Sequence, residues 1–90
     1  MLTQQKEQLR ESIAAYVAPR HPLKFAPAAI AMQLKNLTML DFKATADDVE
    51  TACAFLCELG LMEKATAELG SSTYYGATAK CVLMHERGEL

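Results

Sequence analysis

The side chains with the most reactive chemistry in this sequence are its three cysteines and two histidines. Cys53 and Cys57 stand one helical turn apart, and Cys81 and His85 repeat that spacing. Two such pairs converging from separate helices would supply the four sulfur and nitrogen donors of a tetrahedral zinc site. The spacing is not that of a zinc knuckle or ribbon, however, and Cys53 falls inside an apolar stripe, where a free cysteine acts as a small hydrophobe. Core packing without a metal is the expectation. Catalysis is not expected either. There is no nucleophile–base pair at a recognisable spacing and no glycine-rich phosphate loop. His21, between Arg20 and Pro22, reads as a polar loop residue. No cofactor is implied.

A second kind of chemistry is electrostatic. From Ser12 to Ala46 the cations Arg20, Lys24, Lys35 and Lys43 meet only Asp41. From Asp47 to Gly70 the acids Asp47, Asp48, Glu50, Glu58, Glu63 and Glu68 meet only Lys64. Such asymmetry bears on partners rather than on fold. The cations, with His21, would form a phosphate-contacting patch around one helix if the fold gathers them, and would otherwise be separate solvated charges. The chain as a whole is mildly acidic, with a net charge of -2. That is a weak start for nucleic-acid binding, whose affinity comes largely from lysine and arginine on phosphates.

The elements that must position these groups belong to one small domain. Ninety residues leave no room for a second, and a composition 51% apolar and 22% charged is that of a globular chain. Apolar runs are far shorter than the roughly 20 residues a membrane-spanning helix needs. The start, Met1-Leu2-Thr3-Gln4-Gln5-Lys6, turns polar at once and offers no apolar signal-peptide core. An odd number of cysteines with no framework spacing points to reduced thiols and a cytoplasmic setting. A core of this size is marginal alone and gains from a partner.

Thr3 is a plausible cap for a first helix to about Val17, whose Leu9, Ile13, Tyr16 and Val17 form one apolar stripe. Pro19 and Pro22 end it. Leu23-Lys24-Phe25 alternates as a short extended piece. Pro27 suits the first turn of a second helix that carries Ile30, Leu34 and Leu37 inward and stops near Asn36. Thr45 begins a third helix, with Asp47 and Asp48 favouring its dipole. Its stripe is Val49, Ala52, Cys53, Leu56 and Leu59, with Gly60 as the left-handed stop and Leu61 as the apolar residue after it. Two extended stretches, Leu61–Thr66 and Thr73–Ala77, flank turn chemistry at 68–72 and predict a hairpin. In the second, Tyr75 is expected in the core and Tyr74 outside. Thr78 caps a last short helix that ends before Gly88. The expected core includes Ile13, Ile30, Val49, Cys53, Leu56, Leu59, Met62 and Tyr75.

Helix, short strand, helix, helix, hairpin, helix is an α+β order. Within it, Leu56-Cys57-Glu58-Leu59-Gly60-Leu61-Met62 resembles the Leu-x-x-Leu-Gly-Leu-Ile ending of the recognition helix in winged helix-turn-helix proteins. Tyr75-Gly76-Ala77-Thr78-Ala79-Lys80-Cys81 is similar to the Tyr-x-Leu-Thr-x-x-Gly wing exit of bacterial regulators of that type. The likeness runs from about Pro27 to Leu83. It departs at Cys81, where the family often has glycine, and in the long connection from Leu37 to Ala44.

The resemblance implies a small transcription-regulator-like DNA-binding protein, with the third helix in the major groove and the wing on the backbone. The nucleic-acid contacts would then be Arg20, Lys24, Lys35, Lys43, Thr51 and Tyr74. The residues themselves oppose groove reading. Base edges are read by Arg, Lys, Asn or Gln, whereas the exposed positions of the third helix are Asp47, Glu50, Thr51, Ala54 and Glu58. The alternative is a winged helix that binds protein and does not read DNA. Leu37, Met39, Leu40 and Phe42 are apolar residues in what should be a surface connection. Either they pack down as an extra helical turn, or they form an exposed apolar patch that a partner covers, with a self-complementary surface for a two-fold homodimer as the expected form.

Overall fold

The computed structural model describes residues 1–67, 70 and 72–89. Its elements in chain order are α1 (Thr3–Val17), a 3-10 turn (Ala18–Arg20), β1 (Lys24–Phe25), α2 (Pro27–Asn36), α3 (Ala46–Glu58), β2 (Met62–Thr66), β3 (Thr73–Ala77) and α4 (Ala79–Glu86). This is the α+β order of a winged helix. The three strands form an antiparallel sheet in the order β1-β3-β2. Met62 pairs with Ala77 and Thr66 with Thr73, so the hairpin is in the expected register, and the Ala67 N–H donates to the Ser72 carbonyl just beyond the last pair. The turn chemistry assigned to 68–72 involves Glu68, Leu69 and Ser71, which lie outside the described residues.

The core sits between the three long helices and the inner face of β3. Leu9, Ile13, Val17, Ile30, Leu34, Val49, Cys53 and Cys81 are fully enclosed, and Tyr16, Leu56, Leu61, Met62, Tyr75 and Ala77 close around them. Burying an aliphatic side chain of this kind contributes roughly 1.5–3 kcal/mol. Tyr16 meets Phe25 edge to face with ring centres 5.5 Å apart, so the short strand β1 is fixed to α1 by an aromatic contact.

Helix ends explain where the sequence reading departs from the structure. The α3 helix stops in a Schellman motif: Gly60, at φ +77°, donates to the Cys57 carbonyl, and Leu61 donates to the Leu56 carbonyl. In α4, Gly88 and Glu89 donate to His85 and Met84 in the same way. In α2, Thr38 and Met39 donate to Lys35 and Leu34, which places Thr38, a β-branched residue, at φ +51°. Leu59 and Leu37, expected inside, are the C-cap residues of α3 and α2 and are 46% and 47% exposed. The turn that follows delivers the next apolar residue to the core instead, Leu61 fully and Met39 partly. At the other end of the chain, the cap of α1 is Leu2 rather than Thr3, with its N–H donating to the Gln5 Oε1 at 3.1 Å.

Candidate functional site

Two surfaces carry the chemistry that remains after the core is built. The first is the outer face of α3. Thr45 and Asp48 form a reciprocal capping box, Thr45 N–H to Asp48 Oδ2 at 3.0 Å and Asp48 N–H to Thr45 Oγ1 at 3.1 Å. The backbone N–H and the side chain of Thr45 hold the Asp48 carboxyl below its usual value. With Asp48 engaged in the cap, the face beyond it consists of Asp47, Glu50, Thr51, Ala54 and Glu58, all exposed. Phe55, 37% exposed, and Leu59 add an apolar flank one turn apart. The Arg10 guanidinium of α1 lies 3.9 Å over the Phe55 ring, which fixes that ring in place.

The second surface is a groove of about 630 Å³ between α2 and the connection to α3. Its apolar lining is Ala31, Met32, Leu40, Phe42 and Ala44, and Lys35, Lys43 and Asp41 provide its charges. Ser12 Oγ donates to the Met39 carbonyl at 3.1 Å and ties the connection down onto α1. Met39, Leu40 and Phe42 pack partly buried against the core, but as irregular chain and not as the extra helical turn that is one of the two expectations. Leu37 alone of the four is exposed. Leu40 and Phe42, though partly buried, still line the groove.

The structure brings together only part of the expected basic set. Lys35 and Lys43 share the groove. Arg20 stacks 3.9 Å over the Tyr16 ring and donates to the Tyr16 carbonyl, so its guanidinium serves the end of α1. Lys24, in β1, stands 3.8 Å from Glu63 of β2. Thr51 borders a small hollow beside Lys6, Arg10 and Asp48. Tyr74 is on the outer side of β3, paired with Ala65. The groove itself was missed in sequence, because it depends on the path of an irregular segment; its signal was Lys35 and Lys43 bracketing an apolar connection.

The cysteines follow the packing expectation. Cys53 and Cys81 are fully buried, Cys57 is half-buried, and all are free thiols. Burial pushes the Cys53 thiol up to about 12 and raises those of Cys57 and Cys81 as well. His85 is exposed on α4. Among the described residues no three His, Cys, Asp or Glu side chains are grouped to hold a metal ion, and no helix is long and apolar enough to cross a membrane.

Among solved structures, the chain is similar to a transcriptional regulator from Clostridium thermocellum, with a TM-score of 0.71 over 98% of this chain and 84% of that one, at 14% identity. The overlay supports the winged-helix fold across the whole domain. No family model and no curated protein matches the sequence.

Proposed function

We propose that this chain is a non-catalytic, regulator-type winged-helix module whose third helix faces a protein partner rather than DNA bases. The observation that carries the reading is the composition of the exposed α3 face: Asp47, Glu50 and Glu58 beside Phe55 and Leu59, with no lysine or arginine on the helix. In a major groove those carboxylates would be repelled by phosphates, and only an occasional one would find a cytosine amino group. Against a protein, the same face offers two apolar anchors bordered by charge, the arrangement of a helix that docks in a groove.

A second reading, DNA contact through phosphates alone, is favoured by the pairing of Lys35 and Lys43 on one groove. It predicts weak, sequence-independent binding that falls steeply with salt. A mobility-shift assay on mixed genomic fragments at about 50 mM salt and tens of micromolar protein separates the two. Absence of a shift is the expected result. A shift that Thr51→Ala or Glu50→Ala abolishes would overturn the protein-facing reading of α3. A shift lost only in Lys35→Ala with Lys43→Ala would establish the phosphate-contact reading instead.

A further inference from the structure

The groove and the α3 face are opposite in the charge that borders their apolar residues. The groove has an apolar lining of Ala31, Met32, Leu40 and Phe42 bordered by Lys35 and Lys43. The α3 face has apolar anchors, Phe55 and Leu59, one turn apart, bordered by Glu58. We infer that the groove receives the α3 helix of a second copy of this chain.

The inference rests on the protein-facing reading of α3 and names its partner. Size is the first argument. About 630 Å³ is the scale at which a few side chains of a docking helix are taken up, and Met32, at 61% exposure, is an uncovered apolar side chain on the groove's wall. Charge is the second. Lys35 and Lys43 meet the acids of α3, while Arg10 and Lys80, the cations that border the Phe55 and Leu59 flank, find the groove's one acid, Asp41. Complementary potentials of this kind fix orientation and speed encounter. Because the two surfaces are different, the contact is head-to-tail. Made once per pair it builds open chains or closed rings, and made reciprocally it closes a two-fold pair.

Sedimentation of the full chain over about 2–200 µM tests this, a range that brackets micromolar self-affinity. Three proteins are compared: the wild type, a groove variant (Lys35→Glu with Lys43→Glu), and a helix variant (Phe55→Ala with Leu59→Ser). The wild type should grow beyond the monomer with concentration, and less so in high salt. Each variant alone should associate at least about tenfold more weakly. An equimolar mixture of the two should stop at one-to-one complexes, since it retains one intact helix and one intact groove. If the helix variant does not fold, as judged by circular dichroism, Leu59→Ser alone takes its place. A wild type that stays monomeric, a closed dimer indifferent to both variants, or a mixture that forms nothing would each overturn the inference. A monomer that also fails to shift DNA leaves the protein-facing reading standing and rules out only the second copy; loss of a DNA shift in the α3 variants Thr51→Ala or Glu50→Ala removes that reading itself.

Discussion

Replacing Thr38 by glycine should stabilise this protein. Thr38 occupies the left-handed position of the α2 stop at φ +51°, the place taken by Gly60 in α3 and Gly88 in α4. A side chain with a β-carbon in that region costs roughly 1–2 kcal/mol, and a β-branched one is a particularly poor fit there. Glycine removes this strain but gives the unfolded chain more freedom, which offsets about 0.5–1 kcal/mol of the gain. The Thr38 hydroxyl donates to the Leu37 carbonyl at 2.7 Å, yet that bond is exposed and water can replace it. The two Schellman bonds, Thr38 to Lys35 at 3.1 Å and Met39 to Leu34 at 2.9 Å, are backbone bonds and survive the change. The net is about 0.5–1 kcal/mol in favour of Thr38→Gly, or roughly 2–6 °C in Tm for a domain of this size. Thermal melting followed by circular dichroism reads it directly, with Thr38→Val as the control that keeps the branch, loses the hydroxyl and gains nothing. A Tm for Thr38→Gly equal to or below that of the wild type would refute the strain argument.

Gly76→Ala should have the opposite sign and a larger size. A β-carbon there would stand 2.6 Å from the Leu23 carbonyl oxygen and 2.8 Å from Lys24 Cγ, so β1 would have to separate from β3; urea unfolding should show a loss of about 2–4 kcal/mol. Thr45→Ala removes the α3 cap and should lower stability by about 1 kcal/mol. The same cap gives an acid limb: the Asp48 carboxyl is held below its ordinary value in the folded state, so its contribution is present above the unfolded value and is lost as pH falls through the folded one. Asp48→Asn should flatten that limb in unfolding curves collected from neutral to acid pH, and an unchanged limb would place its origin elsewhere.

Much of the fold was legible because its signals are local and periodic. Leu9, Ile13, Tyr16 and Val17 announce α1, Thr45 and Gly60 bracket α3, and Thr78 caps α4 by accepting from the Cys81 N–H. Leu37 and Leu59 were misplaced for one physical reason: a helical period has no meaning at a C-cap, where the left-handed residue turns the chain and passes the core position two residues on. The α2 stop was not marked by glycine, so the backbone course from Thr38 to Ala44, and with it the groove, could not be derived. Sequence foresaw the acidic face of α3 but not the Arg10 stack on Phe55, which joins two helices. It named a basic set of which the fold gathers Lys35 and Lys43 on one groove. Arg20 engages Tyr16 instead, and Lys24 stands beside Glu63, a partner that depends on tertiary packing alone.

The strand order has a consequence for how this domain resists misassembly. With β3 in the middle, the sheet's two rims are β1 and β2. One rim is only two residues long, too short to recruit a foreign strand in register. The other presents Glu63 and Lys64 in adjacent positions, so an incoming strand would have to accommodate a charge of each sign. Both rims are thus guarded against amyloid-type extension, by brevity on one side and by charge on the other. Met32 and Phe55, apolar side chains left open to solvent, stand on helices instead, where specificity can be encoded in side chains rather than in the uniform backbone of a sheet edge.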